Sequence, residues 1–158
     1  RVLFAAQRAR ERPIDRVLSG WHAVNCLREW RGDTHWAIVV AAGLAGAEAS
    51  VLHNEWLGYE FGWLPRSRGS TPDEIAAAHR SLTARGLASD RGATSAGRAL
   101  RQHIEDETDR LTTTPWALLG PDRTLALAEA LEPPCALLLA RVDLTAGPNY
   151  QPASRVRD

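Results

Sequence analysis

The tetrapeptide Thr71-Pro72-Asp73-Glu74 restricts the fold more than any other stretch of this chain. A Thr three residues before a Glu is a capping box, in which the hydroxyl accepts from the amide of residue 74 and the carboxylate returns to the amide of residue 71. Pro72 falls at the first helical position, where its missing N–H is no loss. A helix is therefore predicted to begin here, run through IAAAHRSLTAR and stop at Gly86. The next residues are equally restrictive. Residues 87–89 and 93–94 flank an SDRG turn and predict two very short strands. A long helix is then expected over 95–111, with Leu100, Ile104 and Leu111 on one face.

Upstream, Val17, Leu18, Trp21, Val24, Leu27 and Trp30 recur at three- and four-residue steps. That period predicts an amphipathic helix that Pro13 opens and that ends near Gly32. Asp33 is placed to cap a second helix, THWAIVVAA, which Gly43 ends. A third is expected in GAEASVLHNEWLG, with Ala47, Val51 and Trp56 facing inward, and YEFGWLPRSRGS reads as irregular with at most one helical turn. Beyond residue 112, Pro115 and Pro121 open two more helical pieces, the second carrying Leu125, Leu127 and Leu131. Pro133 and Pro134 are expected to break it. CALLLARV at 135–142 reads as a short apolar helix or strand, and the last dozen residues as a loose tail.

The order helix, capped helix, RSLTARGLASDRGATSAGRAL, long helix resembles a winged helix-turn-helix. Residues 71–111 are similar to the matching part of MarR-type regulators: an L..RGL element ends the recognition helix, a two-stranded wing follows, and a T..GRAL element opens the next helix. Residues 18–120 resemble more closely a largely uncharacterised family of actinobacterial helix-turn-helix proteins. The elements that carry this are LRE.RGD.H (27–35), GL.G.EA..LH (43–53), the winged segment, and T..PW..LG (112–120). Members are often longer, with another helical half upstream, so the chain resembles a C-terminal half or a shortened relative. The resemblance implies a mainly α winged helix-turn-helix with a short two-stranded wing and flanking helices. On this reading the chain divides into an arm over 1–12, a winged-helix domain over 13–132, and a C-terminal apolar segment and tail over 133–158.

Charge argues against nucleic acid as the main partner. Nineteen acidic residues balance nineteen basic ones, all of them Arg, so no net field steers the chain toward DNA or an anionic membrane. In a winged helix the leading turn of the recognition helix approaches base edges and the wing touches phosphates. Here that turn carries Asp73 and Glu74, and the wing offers Arg91 beside Asp90. Arg66, Arg68, Arg80 and Arg85 remain as phosphate contacts, which keeps a ligand-responsive MarR-type regulator, binding DNA as a dimer, as the alternative reading.

REWRGDTHW at 28–36 invites two accounts. In one it is only a helix corner, with Gly32 as a stop and Asp33 as a cap. In the other, Trp21, Trp30, Trp36 and Trp56 are the aromatic walls of a small-molecule pocket. Arg31 then holds an anionic or carbonyl group, Asp33 fixes His35, and His35 or His53 moves a proton near neutral pH. The reading favoured from sequence is a small-molecule-binding winged-helix protein with a degenerate DNA-reading surface, with catalysis by Asp33, His35 and His53 left open. His22, His35, His53 and Asp33 match no metal-ligand spacing, so neither metal nor cofactor is expected. VLSGW lacks the glycine of a nucleophile elbow. Cys26, on an apolar helix, reads as inert, and Cys26 with Cys135 suggests a reduced, cytoplasmic setting. No apolar run reaches the roughly 18 residues of a membrane span. A third class, an interaction module, would use CALLLARV to pair with a second copy or with an upstream helical half.

Overall fold

Residues 1–145 are described by the computed structural model, and they separate into two compact units that meet at Thr112 and Thr113. The first unit contains α1 (Val2–Arg8), α2 (Arg16–Ala41), α3 (Gly46–Leu57), α4 (Trp63–Ser67), α5 (Pro72–Ala84), β1 (Ala88–Ser89), β2 (Gly92–Ala93) and α6 (Ser95–Thr112). It is a mainly α winged helix-turn-helix. The helices α3, α4 and α5 form the tri-helical element, and β1 and β2 pair antiparallel as the wing, Ala88 opposite Ala93 and Ser89 opposite Gly92. Val39, Leu44, Val51, Leu52, Ile75, Ala78, Leu82, Ala88 and Ile104 form one apolar core contributed by α2, α3, α5, α6 and the wing.

The capping box at α5 forms as its residue types require. The Glu74 amide donates to Thr71 Oγ1 at 3.3 Å, and the Thr71 amide donates to Glu74 Oε2 at 2.7 Å. A second carboxylate, Glu48, does the same at α3 and reaches further. It accepts from the Ala45 amide at 2.8 Å, from the Ser81 hydroxyl at 2.5 Å and from Arg85 at 3.5 Å, so one acid caps α3 and ties it to α5. Asn54, fully buried on α3, organises the approach to α4. Its amide nitrogen donates to the Glu60 carbonyl at 3.1 Å, and its carbonyl oxygen accepts from the Leu64 amide at 2.9 Å. Both ends of the side chain are therefore satisfied, which is what makes a buried Asn tolerable.

The helix predicted to stop near Gly32 does not stop. α2 runs unbroken from Arg16 to Ala41, so the corner expected at Gly32 and Asp33 is the middle of one helix. A single interior Gly costs only about 1 kcal/mol relative to Ala, and the packing of α2 on α6 and α1 outweighs it. Pro13 does not open α2 either, because Asp15 is its N-cap and accepts from the amides of Val17 and Leu18. Asp33 still caps a helix, but a different one. Its carboxylate accepts from the amides of Leu3 and Phe4 at 3.2 and 2.9 Å, closing the N-terminus of α1. Phe4 meets Trp30 edge to face at 5.2 Å on the same contact.

The N-terminal half of α2 carries the predicted apolar stripe, and Val17, Leu18, Trp21 and Val24 on it are exposed among the described residues. At the other end of the unit, α6 passes very close to the wing. A Cβ on Gly97 would lie 2.0 Å from the Leu87 carbonyl oxygen.

The second unit begins with α7 (Thr114–Leu119) and α8 (Pro121–Thr145). The break expected at Pro133 and Pro134 is absent, and CALLLARV is helical as part of α8. Each Pro withholds one donor from the carbonyl four residues back, at Glu129 and Ala130. Both residues are exposed, so water can take those carbonyls and the helix continues. The tail beyond residue 145 lies outside the described residues.

Two glycine substitutions separate a continuous α2 from a corner. Gly32→Ala should raise stability by about 0.5–1 kcal/mol, since a Cβ there meets only ordinary contacts. A glycine ending a helix would respond with a loss. Gly97→Ala, although also within a helix, should destabilise by about 1–3 kcal/mol because the added methyl meets backbone. Urea unfolding of both variants measures the two signs.

Candidate functional site

Between α2, α3 and α6 the first unit encloses a cavity of about 220 Å³. Arg31, His35, Trp36 and Val39 line it from α2, Leu44 from the α2–α3 connection, and Ala49 and His53 from α3. Arg101, Ile104 and Glu105 close it from α6. The remaining wall is Arg68, the residue that ends α4 within the helix-turn-helix turn. The α-helical period explains the shared face. Arg31, His35 and Val39 lie at four-residue steps on α2, and Arg101 and Glu105 are one turn apart on α6.

The site is built around Glu105. Its Oε1 pairs with Arg101 Nη2 on the next turn, and its Oε2 accepts from Arg31 Nη2 across the interface at 2.6 Å. Arg31 also reaches Asp109 at 3.0 Å. Burial opposes the charge on Glu105, but Arg101 and Arg31 outweigh it and hold the carboxyl below its usual range. Arg101 is only 3 % exposed and its Nη1 has no hydrogen-bond partner among the described residues. Its guanidinium carbon stands 5.1 Å from the Trp56 ring centre. Arg68 is exposed on its outer side, donates to Ser50 Oγ at 3.3 Å and forms no ion pair among the described residues. Burial, then the charge on Arg101, lowers its pKa.

The two histidines of the cavity are held neutral. Burial, with Arg101 and Arg68 adding to it, pushes His53 down to about 3. His35 is also lowered, mainly by burial, with Glu105 acting in the opposite sense. His35 Nδ1 lies 3.1 Å from Thr108 Oγ1, whose single proton is directed to the Ile104 carbonyl at 2.6 Å. Nδ1 must then carry the hydrogen, which leaves Nε2 as an acceptor.

Of the residues singled out from sequence for a pocket, Arg31, His35, Trp36 and His53 meet at this cavity and the others lie elsewhere, while Arg68, singled out for phosphate contact, joins them there. Asp33 is two residues from His35 on one helix, a separation that sets side chains on different faces, and it serves α1. Thr108, not Asp33, orients His35. Trp21 is exposed, Trp30 packs on Phe4 beneath Arg1, and Trp56 lies beside Arg101 without lining the cavity. Cys26 is not surrounded only by apolar groups, because its sulfur stands 3.7 Å from His22 Nε2. Sequence reasoning missed Arg101 and Glu105. The available signal was a charged residue on the buried face Gly97, Arg101, Ile104, Thr108, where it requires a partner.

The arginines proposed for phosphate contact are mostly engaged elsewhere. Arg85 caps the end of α2 through the carbonyls of Ala42 and Gly43 and joins Glu48. Arg66 pairs with Glu60 at 3.3 Å, and Arg68 faces the cavity. Arg80 and Arg91 are exposed. The outer face of α5 thus presents Asp73, Ala77, Arg80 and Ala84, and Arg80 alone among them is a cation. Among the described residues no three His, Cys, Asp or Glu side chains gather as a metal site, and no single helix is long and apolar enough to cross a membrane.

Compared with known protein families, the chain matches the model of a helix-turn-helix family over residues 1–145. No curated protein and no solved structure matches it.

The neutral histidines set a pH dependence. The native state keeps His53 unprotonated down to about pH 3, while the unfolded chain protonates it near its ordinary value of 6.5. Stability conferred by the neutral form is complete above 6.5 and is lost as pH falls toward 3, at up to about 1.4 kcal/mol per pH unit for one such group. His35 acts with the same sign, whereas the carboxylates Glu48 and Glu105 contribute losses only below their ordinary 4.5. Urea titrations between pH 6.5 and 4.5 should show this slope, and His53→Gln should flatten it. An unchanged slope would remove His53 as its source.

Proposed function

The chain belongs to this helix-turn-helix family, and from that premise we propose that it is a ligand-responsive regulator whose selectivity resides in the cavity and not at the tip of α5. One observation carries the reading: Arg68 lies in the turn between α4 and α5 and is also a wall of the cavity. A molecule bound against Arg31, His35, Trp36 and His53 therefore touches the segment that orients the recognition helix. Differential contact of this kind is what lets a ligand shift a two-state element. Catalysis is not part of the proposal, since Asp33 lies away from both histidines and His53 is too weak a base at neutral pH.

DNA binding in this reading is weak and mostly to phosphate. Asp73 and Glu74 set negative charge at the helix end that would otherwise attract phosphate. A second reading concerns assembly. Along α8, Leu125, Leu137, Leu138 and Leu144 are 61–82 % exposed, an apolar surface that favours pairing with a second copy.

Three measurements test this. Ligands from a metabolite panel that raise the melting temperature and change Trp36 fluorescence should lose both effects in Ala49→Phe, which fills the cavity; no response in the parent to any compound would end the reading. DNA affinity should fall with salt at a log–log slope of about −2 per chain, from two free phosphate-binding cations, and Asp73→Asn should tighten it several-fold. A much steeper slope would show a working DNA surface that the charge argument denies. Light scattering should find a dimer that Leu137→Glu with Leu138→Glu turns into a monomer.

A further inference from the structure

We infer that the cavity is a receptor for a small organic acid, with the carboxylate taken by Arg101 and Arg68 and the apolar remainder lying against Trp36, Val39 and Ile104. The inference rests on the ligand reading above and adds the chemical class. Its basis is a charge surplus. Three guanidiniums, those of Arg31, Arg68 and Arg101, line the cavity. Among the described residues they are met by two carboxylates, Glu105 and Asp109, and the neutral histidines contribute no charge. One positive charge is left over, carried by the exposed Arg68 at the cavity wall, where it attracts an anion.

The second observation is independent of that count. Arg101 is buried to 3 % exposure, and its Nη1 has no acceptor among the described residues. Arg68, which donates to the Ser50 hydroxyl, has further N–H donors. Two guanidiniums with free N–H groups match the paired oxygens of a carboxylate better than any neutral acceptor. The third is the rest of the lining. An inorganic anion would leave Trp36, Val39, Leu44 and Ile104 without contact, whereas an acid with a short hydrocarbon body fills both halves. The volume of about 220 Å³ lies below the usual range of roughly 300–1,000 Å³ for drug-sized ligands, so the body must be small.

Matched probes separate this inference from the reading it rests on. Hexanoate and phenylacetate are titrated by calorimetry and Trp fluorescence at constant ionic strength, beside hexanamide, phenylacetamide and sulfate. Each acid should bind at least tenfold more tightly than its amide and than sulfate. Arg68→Gln should reduce the acid-to-amide ratio to within threefold. Amides equal to acids would overturn the carboxylate inference while the cavity remained a ligand site. Sulfate equal to the acids would overturn its organic part. Acids and amides both silent while other uncharged compounds stabilise the protein would also overturn it, and silence from every compound would remove the ligand reading itself.

Discussion

Glu105 holds the first unit together in a way no other side chain does. A guanidinium buried as deeply as Arg101 is costly unless a carboxylate pairs with it, and Glu105 is one helical turn away. The same carboxylate also receives Arg31 from α2, so α2 and α6 are fixed in register at the point where the cavity opens. Removing Glu105 would leave two cations facing each other across the interface, which is far costlier than losing one hydrogen bond. Because this acid is shared between two cations, the cavity keeps a positive balance, which adds to the burial that holds the histidines neutral.

Other carboxylates serve helix ends. Glu48 closes α3 and binds α5, Glu74 closes α5, and Asp33 closes α1 from the middle of α2. Each places negative charge where backbone amides are unsatisfied and the helix dipole is positive. Arg85 does the complementary work at the end of α2. The surface of α5 inherits what this architecture leaves over: an acidic leading turn and Arg80. A helix dressed in this way is anchored firmly from behind and offers little to a base edge in front.

The connection between cavity and recognition helix is short. Asn54 fixes the path from α3 into α4, and Arg68 turns back from the end of α4 to the cavity wall. Asn54 and His53 are neighbours on α3, one holding the turn and the other lining the cavity. The cavity wall and the path into α4 are thus set by adjacent residues of a single helix, which is where the proposed coupling would act. No long relay through the core is required, which is the simplest physical basis for coupling between a ligand and a DNA-facing element.

What the sequence by itself determined was whatever depends on neighbours along the chain. Thr71-Pro72-Asp73-Glu74 starts α5, Gly86 ends it with a positive φ, and the SDRG turn pairs β1 with β2, because capping and turn geometry are settled within four residues. Arg31, His35 and His53 were visible as chemistry-bearing residues for the same local reason, although not what faces them. The tertiary structure decided the rest. Gly32 stays helical because packing across α6 outweighs a small propensity cost, and Asp33 then caps a helix thirty residues earlier in sequence. Arg68 lines the cavity, and Arg101 is tolerated in the interior because Glu105 meets it there. A charged side chain takes its role from the opposite charge it finds, and that partner is brought close by folding, over distances along the chain that no local pattern spans.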